Sequence, residues 1–109
     1  MIKNNVKTKW KNKEVVLNSF LSIPNTFTAE IMSEQGYDAL TIDYQHGMIS
    51  FSDLFTMLQS IRSSGVTPIC RVSGLDHAVI SKVMDAGALG IICPMTVSYT
   101  HLRAHETFH

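Results

Sequence analysis

Four short apolar runs, starting near residues 15, 39, 68 and 89, divide the chain, and each gap between them carries a helical pattern. Residues 15–23, ending before Pro24 and the turn Asn25-Thr26, read as the first strand. Ala39-Leu40-Thr41-Ile42, bounded by Asp38 and Asp43, reads as the second, residues 68–72 as the third and residues 89–93 as the fourth. Strands joined through helices build a parallel sheet, because a parallel neighbour needs a crossover too long for a hairpin. The runs are continuously apolar rather than alternating, as expected when both sheet faces are covered. The fold class is α/β.

The intervening helices have different degrees of definition. In the first, over residues 28–35, Phe27, Ile31 and Met32 form a modest apolar stripe, with Gly36 placed to end it. The second is the clearest element: Phe51, Leu54, Phe55, Leu58 and Ile61 recur at helical spacing. Ser50 and Asp53 form a capping-box pattern at its start, and Gly65 marks its stop. Asp76 is placed to cap the third, whose apolar positions are Ile80, Val83 and Met84, ending at Gly87. Before the first strand, Lys3, Lys7, Lys9, Lys11 and Lys13 surround Val6 and Trp10, which suits a short amphipathic helix lying on the body of the fold.

Nine basic and nine acidic residues cancel, so charge gives no reason to expect nucleic acid or an anionic membrane as partner. No apolar run approaches the roughly 18 residues of a membrane span, and no compact apolar leader opens the sequence, which reads as cytoplasmic. Cys70 and Cys93 lie inside apolar runs and read as reduced core residues rather than a disulfide or zinc framework.

The sheet could close as a doubly wound layer or as a barrel. The turn after the first strand has no glycine-rich phosphate loop, which weakens the nucleotide-binding alternative. A complete barrel takes about 250 residues, so on the barrel reading the chain supplies three βα units and a fourth strand. In either architecture chemistry collects where strands end. Asp43-Tyr44-Gln45-His46-Gly47 follows the second strand, and Arg71 ends the third. A carboxylate three residues from an imidazole can orient a general base, and an arginine fork suits a carboxylate ligand. By spacing alone, Asp43 could equally be a cap or turn residue, His46 a loop residue and Arg71 half of a structural ion pair.

Residues 36–47, Gly-Tyr-Asp-Ala-Leu-Thr-Ile-Asp-Tyr-Gln-His-Gly, resemble the HpcH/HpaI aldolase (citrate lyase-like) family, whose pattern is Gly-Phe-Asp, a strand, then Asp-x-Glu/Gln-His-Gly/Ala. The likeness continues in register through Pro68-Ile69-Cys70-Arg71-Val72, Val83-Met84-Asp85-Ala86-Gly87-Ala88 and Gly90-Ile91-Ile92-Cys93-Pro94-Met95. The resemblance implies a partial (β/α)₈ TIM barrel over residues 1–96 and a metal-dependent class II aldolase. Such an enzyme cleaves 4-hydroxy-2-oxo acids to pyruvate, or a related 2-keto acid, and an aldehyde. It implies His46 as the base, Asp43 as the residue holding its ring, and Arg71 as the substrate-binding cation. Asp85 is implied as an acid near a subunit interface of a homo-oligomer. Gln45 stands where many members have Glu. A divalent ion, Mg or Mn, is implied for the whole enzyme, with ligands from later strands and none from this chain.

Residues 97–107 resemble one translated frame of a transposase-derived sequencing adapter, so residues 97–109 are expected to be a non-native tail and the chain alone to be inactive. His101 and His105 in that tail lack a third ligand and are not taken as a metal site. The alternatives are a non-catalytic half-barrel acting as a binding or assembly module, and a citrate-lyase-like member of the same superfamily.

Overall fold

In the computed structural model, which describes residues 4–45 and 48–94, helices and strands alternate as the sequence pattern requires. The elements are α1 (Asn5–Lys11), β1 (Asn18–Leu21), α2 (Thr26–Ser33), β2 (Ala39–Asp43), α3 (Phe51–Arg62), β3 (Thr67–Arg71), α4 (His77–Asp85) and β4 (Gly90–Ile92). The strands form one parallel sheet in the order β1-β2-β3-β4. Consecutive strands are therefore neighbours, the arrangement of a barrel wall rather than of a sheet whose order reverses at a switch point.

Side chains alternate across this sheet. Leu40 and Ile42 of β2, Cys70 of β3 and Ile91 of β4 join the main core, together with Leu54, Met57, Leu58 and Ile61 of α3 and Val83 of α4. Ala39 and Ile69 lie on the other face and pack with Val6 of α1, flanked by Val16 and Ile92. Val6 is completely buried while Trp10 remains half-exposed, so α1 lies across the inner face as a short amphipathic helix. The Asn4 side chain caps it, accepting from the Lys7 amide at 3.1 Å.

Asp38 ties three elements together at the start of the sheet. Its carboxylate accepts the Leu17 amide at 2.8 Å and the Lys9 ammonium at 2.6 Å, while its own amide donates to the Leu17 carbonyl at 2.8 Å. The Leu17 amide first, and Lys9 next, hold the Asp38 carboxyl below the ordinary range; the same hydrogen bond raises Lys9.

The sequence expectations need three corrections. The first strand begins at Asn18 rather than at residue 15, because Ala39, the first residue of β2, pairs with Asn18, and Val15 and Leu17 lie exposed outside the ladder. Helix α2 starts at Thr26, capped by the Asn25 side chain at 2.9 Å, two residues before the expected start. Its expected stripe holds only in part: Met32 packs against the main core, but Phe27 and Ile31 are exposed, and the buried residues are Ala29 and Ser33. Small side chains let this helix sit close against its neighbours, which a stripe of large ones would prevent.

The helix caps hold. Ser50 and Asp53 form a reciprocal capping box on α3, and the Asp76 carboxylate accepts the Ala78 and Val79 amides of α4. Gly87 follows the α4 cap at φ +124°, a backbone angle that favours glycine. Phe55 and Met84 are more exposed than their helical spacing suggests, whereas Met57, outside the expected α3 stripe, is buried. Cys70 is buried and Cys93 partly so, both as free thiols. The proposed boundary at residue 96 and the tail histidines lie outside the described residues.

Candidate active site

Parallel register sets Asp43, the last residue of β2, directly opposite Arg71, the last residue of β3. Both follow the inner-face alternation of Ala39 and Ile69, so their side chains meet on that face at the carboxyl end of the sheet. The Arg71 guanidinium grips the carboxylate in a two-point fork, Nε donating to Oδ1 at 3.1 Å and Nη2 to Oδ2 at 2.6 Å. The Asp43 side chain is 6% exposed and that of Arg71 28%. Hydrogen bonding to the carboxylate raises the Arg71 pKa further, so the cation is permanent at any working pH.

Backbone bonds hold the two strand ends in place. The Tyr44 amide donates to the Arg71 carbonyl at 3.0 Å, and the Val72 amide donates to the Ile92 carbonyl at 3.0 Å. Further along the inner face, the Thr41 hydroxyl donates to the Asn18 side chain at 2.9 Å. Arg71 also leans across β2 toward β1, bringing its Cζ 4.9 Å from the centre of the Phe20 ring.

The fork uses two of the five N–H donors of a guanidinium. Three remain, two on Nη1 and one on Nη2, enough to receive a carboxylate or keto oxygen while Asp43 stays in place. The Cys70 thiol, on the opposite face of β3, is pushed up to about 12 by burial and then by the charge of Asp43, and is no nucleophile.

The other expected residues are placed differently. His46 lies outside the described residues. Asp85, the last residue of α4, lines a groove of about 310 Å³ with Phe51, Phe55, Lys82 and Ala86, and has no hydrogen bond or ion pair to Asp43 or Arg71. In that groove the Lys82 ammonium stands 4.1 Å over the Phe51 ring. Among the described residues no three His, Cys, Asp or Glu side chains gather to hold a metal ion, and Asp43 is already engaged by a cation. The described residues therefore do not fit a divalent ion. Phe20 was not among the expected site residues; the only signal for it is its place near the carboxyl end of the first strand, the end at which Asp43 and Arg71 lie.

The HpcH/HpaI aldolase/citrate lyase family model matches residues 17–108. Over 92 residues the chain is 40% identical to a hydroxypyruvate/pyruvate aldolase of Rhizorhabdus wittichii, covering 84% of this chain and 37% of the relative. A 2-keto-3-deoxy-L-rhamnonate aldolase of Escherichia coli is 30% identical over 95 residues, 87% of this chain and 36% of the relative. Among solved structures, the citrate synthase SbnG superposes with a TM-score of 0.80 at 32% identity, covering 86% of this chain and 38% of that one. An HpcH/HpaI aldolase from Desulfitobacterium hafniense shares the fold, with a TM-score of 0.79 at 24% identity over 90% of this chain and 38% of that one. The chain thus spans a little over a third of the length of the proteins it matches, and its sheet is part of a TIM-barrel-like wall. With a matching family model over most of its length and an aldolase relative at 40% identity, this chain belongs to the HpcH/HpaI aldolase/citrate lyase family.

Proposed function

We propose that these βα units belong to a carbon–carbon lyase that cleaves 4-hydroxy-2-oxo acids to pyruvate, or a related 2-keto acid, and an aldehyde. The observation that carries this reading is the Asp43–Arg71 fork at adjacent strand ends, with three guanidinium donors that meet no acceptor among the described residues. A 2-keto acid presents two carboxylate oxygens and a keto oxygen in one plane, which a planar donor set matches.

In the cleavage direction His46 takes the proton of the C4 hydroxyl. The C4–O bond becomes a carbonyl as the C3–C4 bond breaks, and the electron pair moves onto the C2 keto oxygen as an enolate. Arg71 stands at the developing negative charge, where a fixed donor contributes most. Protonation at C3 then gives the 2-keto acid. Asp43 holds Arg71 in the described geometry, and orienting the His46 ring is a second task for the same carboxylate. A divalent ion, Mg²⁺ or Mn²⁺, supplies electron withdrawal in this class of reaction; the described residues do not assemble a donor set for it. Asp85 would meet the site across a subunit interface of a homo-oligomer. The similarity to a citrate synthase favours one second reading, the same enolate chemistry run toward condensation with a different carbonyl partner.

The test is a complete barrel made by joining residues 17–94 to the remaining strands of the 40% identical aldolase. With Mg²⁺ or Mn²⁺ present it should release pyruvate from a 4-hydroxy-2-oxo acid, and His46→Ala should lower turnover by roughly 100-fold or more. Pyruvate release surviving His46→Ala within a few-fold refutes the base assignment.

A further inference from the structure

We propose that Phe20 is a positioning residue for Arg71: its ring sets the tilt of the guanidinium whose edge Asp43 grips. This rests on the keto-acid reading of Arg71 given above.

The geometry gives the reason. The fork joins Asp43 to one edge of the guanidinium, through Nε and Nη2. Two contacts along a single edge fix the group within its plane but leave it free to hinge about that edge. The third constraint comes from two strands away, where the Phe20 ring centre lies 4.9 Å from Cζ. Phe20 pairs in register with Thr41 on β2, and the Asn18–Thr41 hydrogen bond ties β1 to β2 on this same face two residues earlier. The ring therefore stands on a fixed strand rather than on a loop. It is 45% exposed, more than simple core packing explains for a phenylalanine. An aromatic face attracts a guanidinium through its quadrupole, which an aliphatic side chain of similar size does not. With the tilt fixed, the plane that holds the three remaining N–H donors keeps one orientation.

The experiment follows the Arg71 side-chain Nε–Hε signal by ¹H–¹⁵N NMR in the 109-residue chain, which has only three arginines. The Phe20 ring current should displace this signal. Phe20→Leu should abolish the displacement, and Phe20→Trp should keep it. Titrating pyruvate into the completed barrel with Mg²⁺ present should show affinity weakened roughly three- to fivefold by Phe20→Leu and restored by Phe20→Trp, the range expected for a partly exposed cation–π contact. Weakening common to Leu and Trp would mean that the site needs only the native side chain's shape, and would overturn the proposal. Equal pyruvate affinity in the unmodified barrel and its Phe20→Leu variant would overturn it as well. No pyruvate response in the unmodified barrel, with the ring-current displacement present, would instead overturn the keto-acid reading, and the proposal with it.

Discussion

Removing either partner of the Asp43–Arg71 fork should destabilise the fold unequally, and the inequality can be worked from exposure. Arg71→Met keeps the length of the stem but withdraws two charge-assisted hydrogen bonds from a carboxylate whose side chain is 6% exposed. Water reaches that carboxylate poorly, so solvent replaces little of the two lost bonds. Breaking a fully buried pair costs about 3–5 kcal/mol and an exposed one about 0–1 kcal/mol. This pair lies between them, on the open inner face, so we expect about 2–3 kcal/mol for Arg71→Met. Asp43→Asn leaves the guanidinium, 28% exposed, able to turn toward water and to keep one neutral acceptor; about 1 kcal/mol is expected. Urea unfolding monitored by circular dichroism, on both single variants and the double variant, gives the two costs and their coupling. Equal costs, a larger cost for Asp43→Asn, or a coupling below about 0.5 kcal/mol would refute the assignment of a partly buried, charge-assisted fork.

In the completed barrel, Arg71→Lys should raise KM for the keto acid several-fold despite the retained charge, since an ammonium cannot hold Asp43 and a ligand in one plane; unchanged steady-state constants would exclude a two-point role. The Lys9–Asp38 pair should give stability a dependence at both pH extremes. Asp38, held low by Leu17 and Lys9, stabilises the fold above the ordinary carboxyl range and loses that contribution as pH falls through its folded value. Lys9, held high by Asp38, contributes fully below about 10.5 and loses its share as pH rises beyond it; Asp38→Asn should flatten both limbs of a melting-temperature profile. Iodoacetamide at pH 8 should label Cys93 before Cys70, whose thiol is fully buried and pushed up to about 12; equal labelling rates would contradict that burial.

Local features were legible where local physics decides them. The Ser50–Asp53 capping box and the Asp76 cap involve residues within three positions of each other, and both form as the spacing indicates. Strands β2, β3 and β4 could be placed because their runs are mostly apolar and buried, whereas β1, with Asn18 and Ser19 and only Leu21 buried, was placed three residues early. Helix α2 was misjudged because which of its sides is buried depends on how closely its neighbours approach, and Ala29 rather than Phe27 meets that condition. At the site, Asp43 and Arg71 were identified as separate residues, but their union was not. It spans 28 positions and depends on the β2–β3 register, a tertiary property. The contact of Arg71 with Phe20 reaches a strand further still, so no local pattern could announce it.

Because each strand pairs with the one made just before it, the sheet can grow in the order of its synthesis. As the ribosome releases β2, its partner β1 is already available; β3 then adds to β2, and β4 to β3, with no strand waiting for a later one to be inserted between. Pairing over such short separations costs little loop-closure entropy, and emerging chains assemble N-terminal units first. Helix α1 is the exception. The Asn4 side chain bonds the Leu89 carbonyl across 85 residues, and Val6 packs on Ile69, so α1, made before all four strands, is among the last of these elements to settle. Until β3 and β4 arrive, Val6 and Trp10 have only half of their seat, which makes the N-terminal helix the latch that closes when the four-stranded wall is complete.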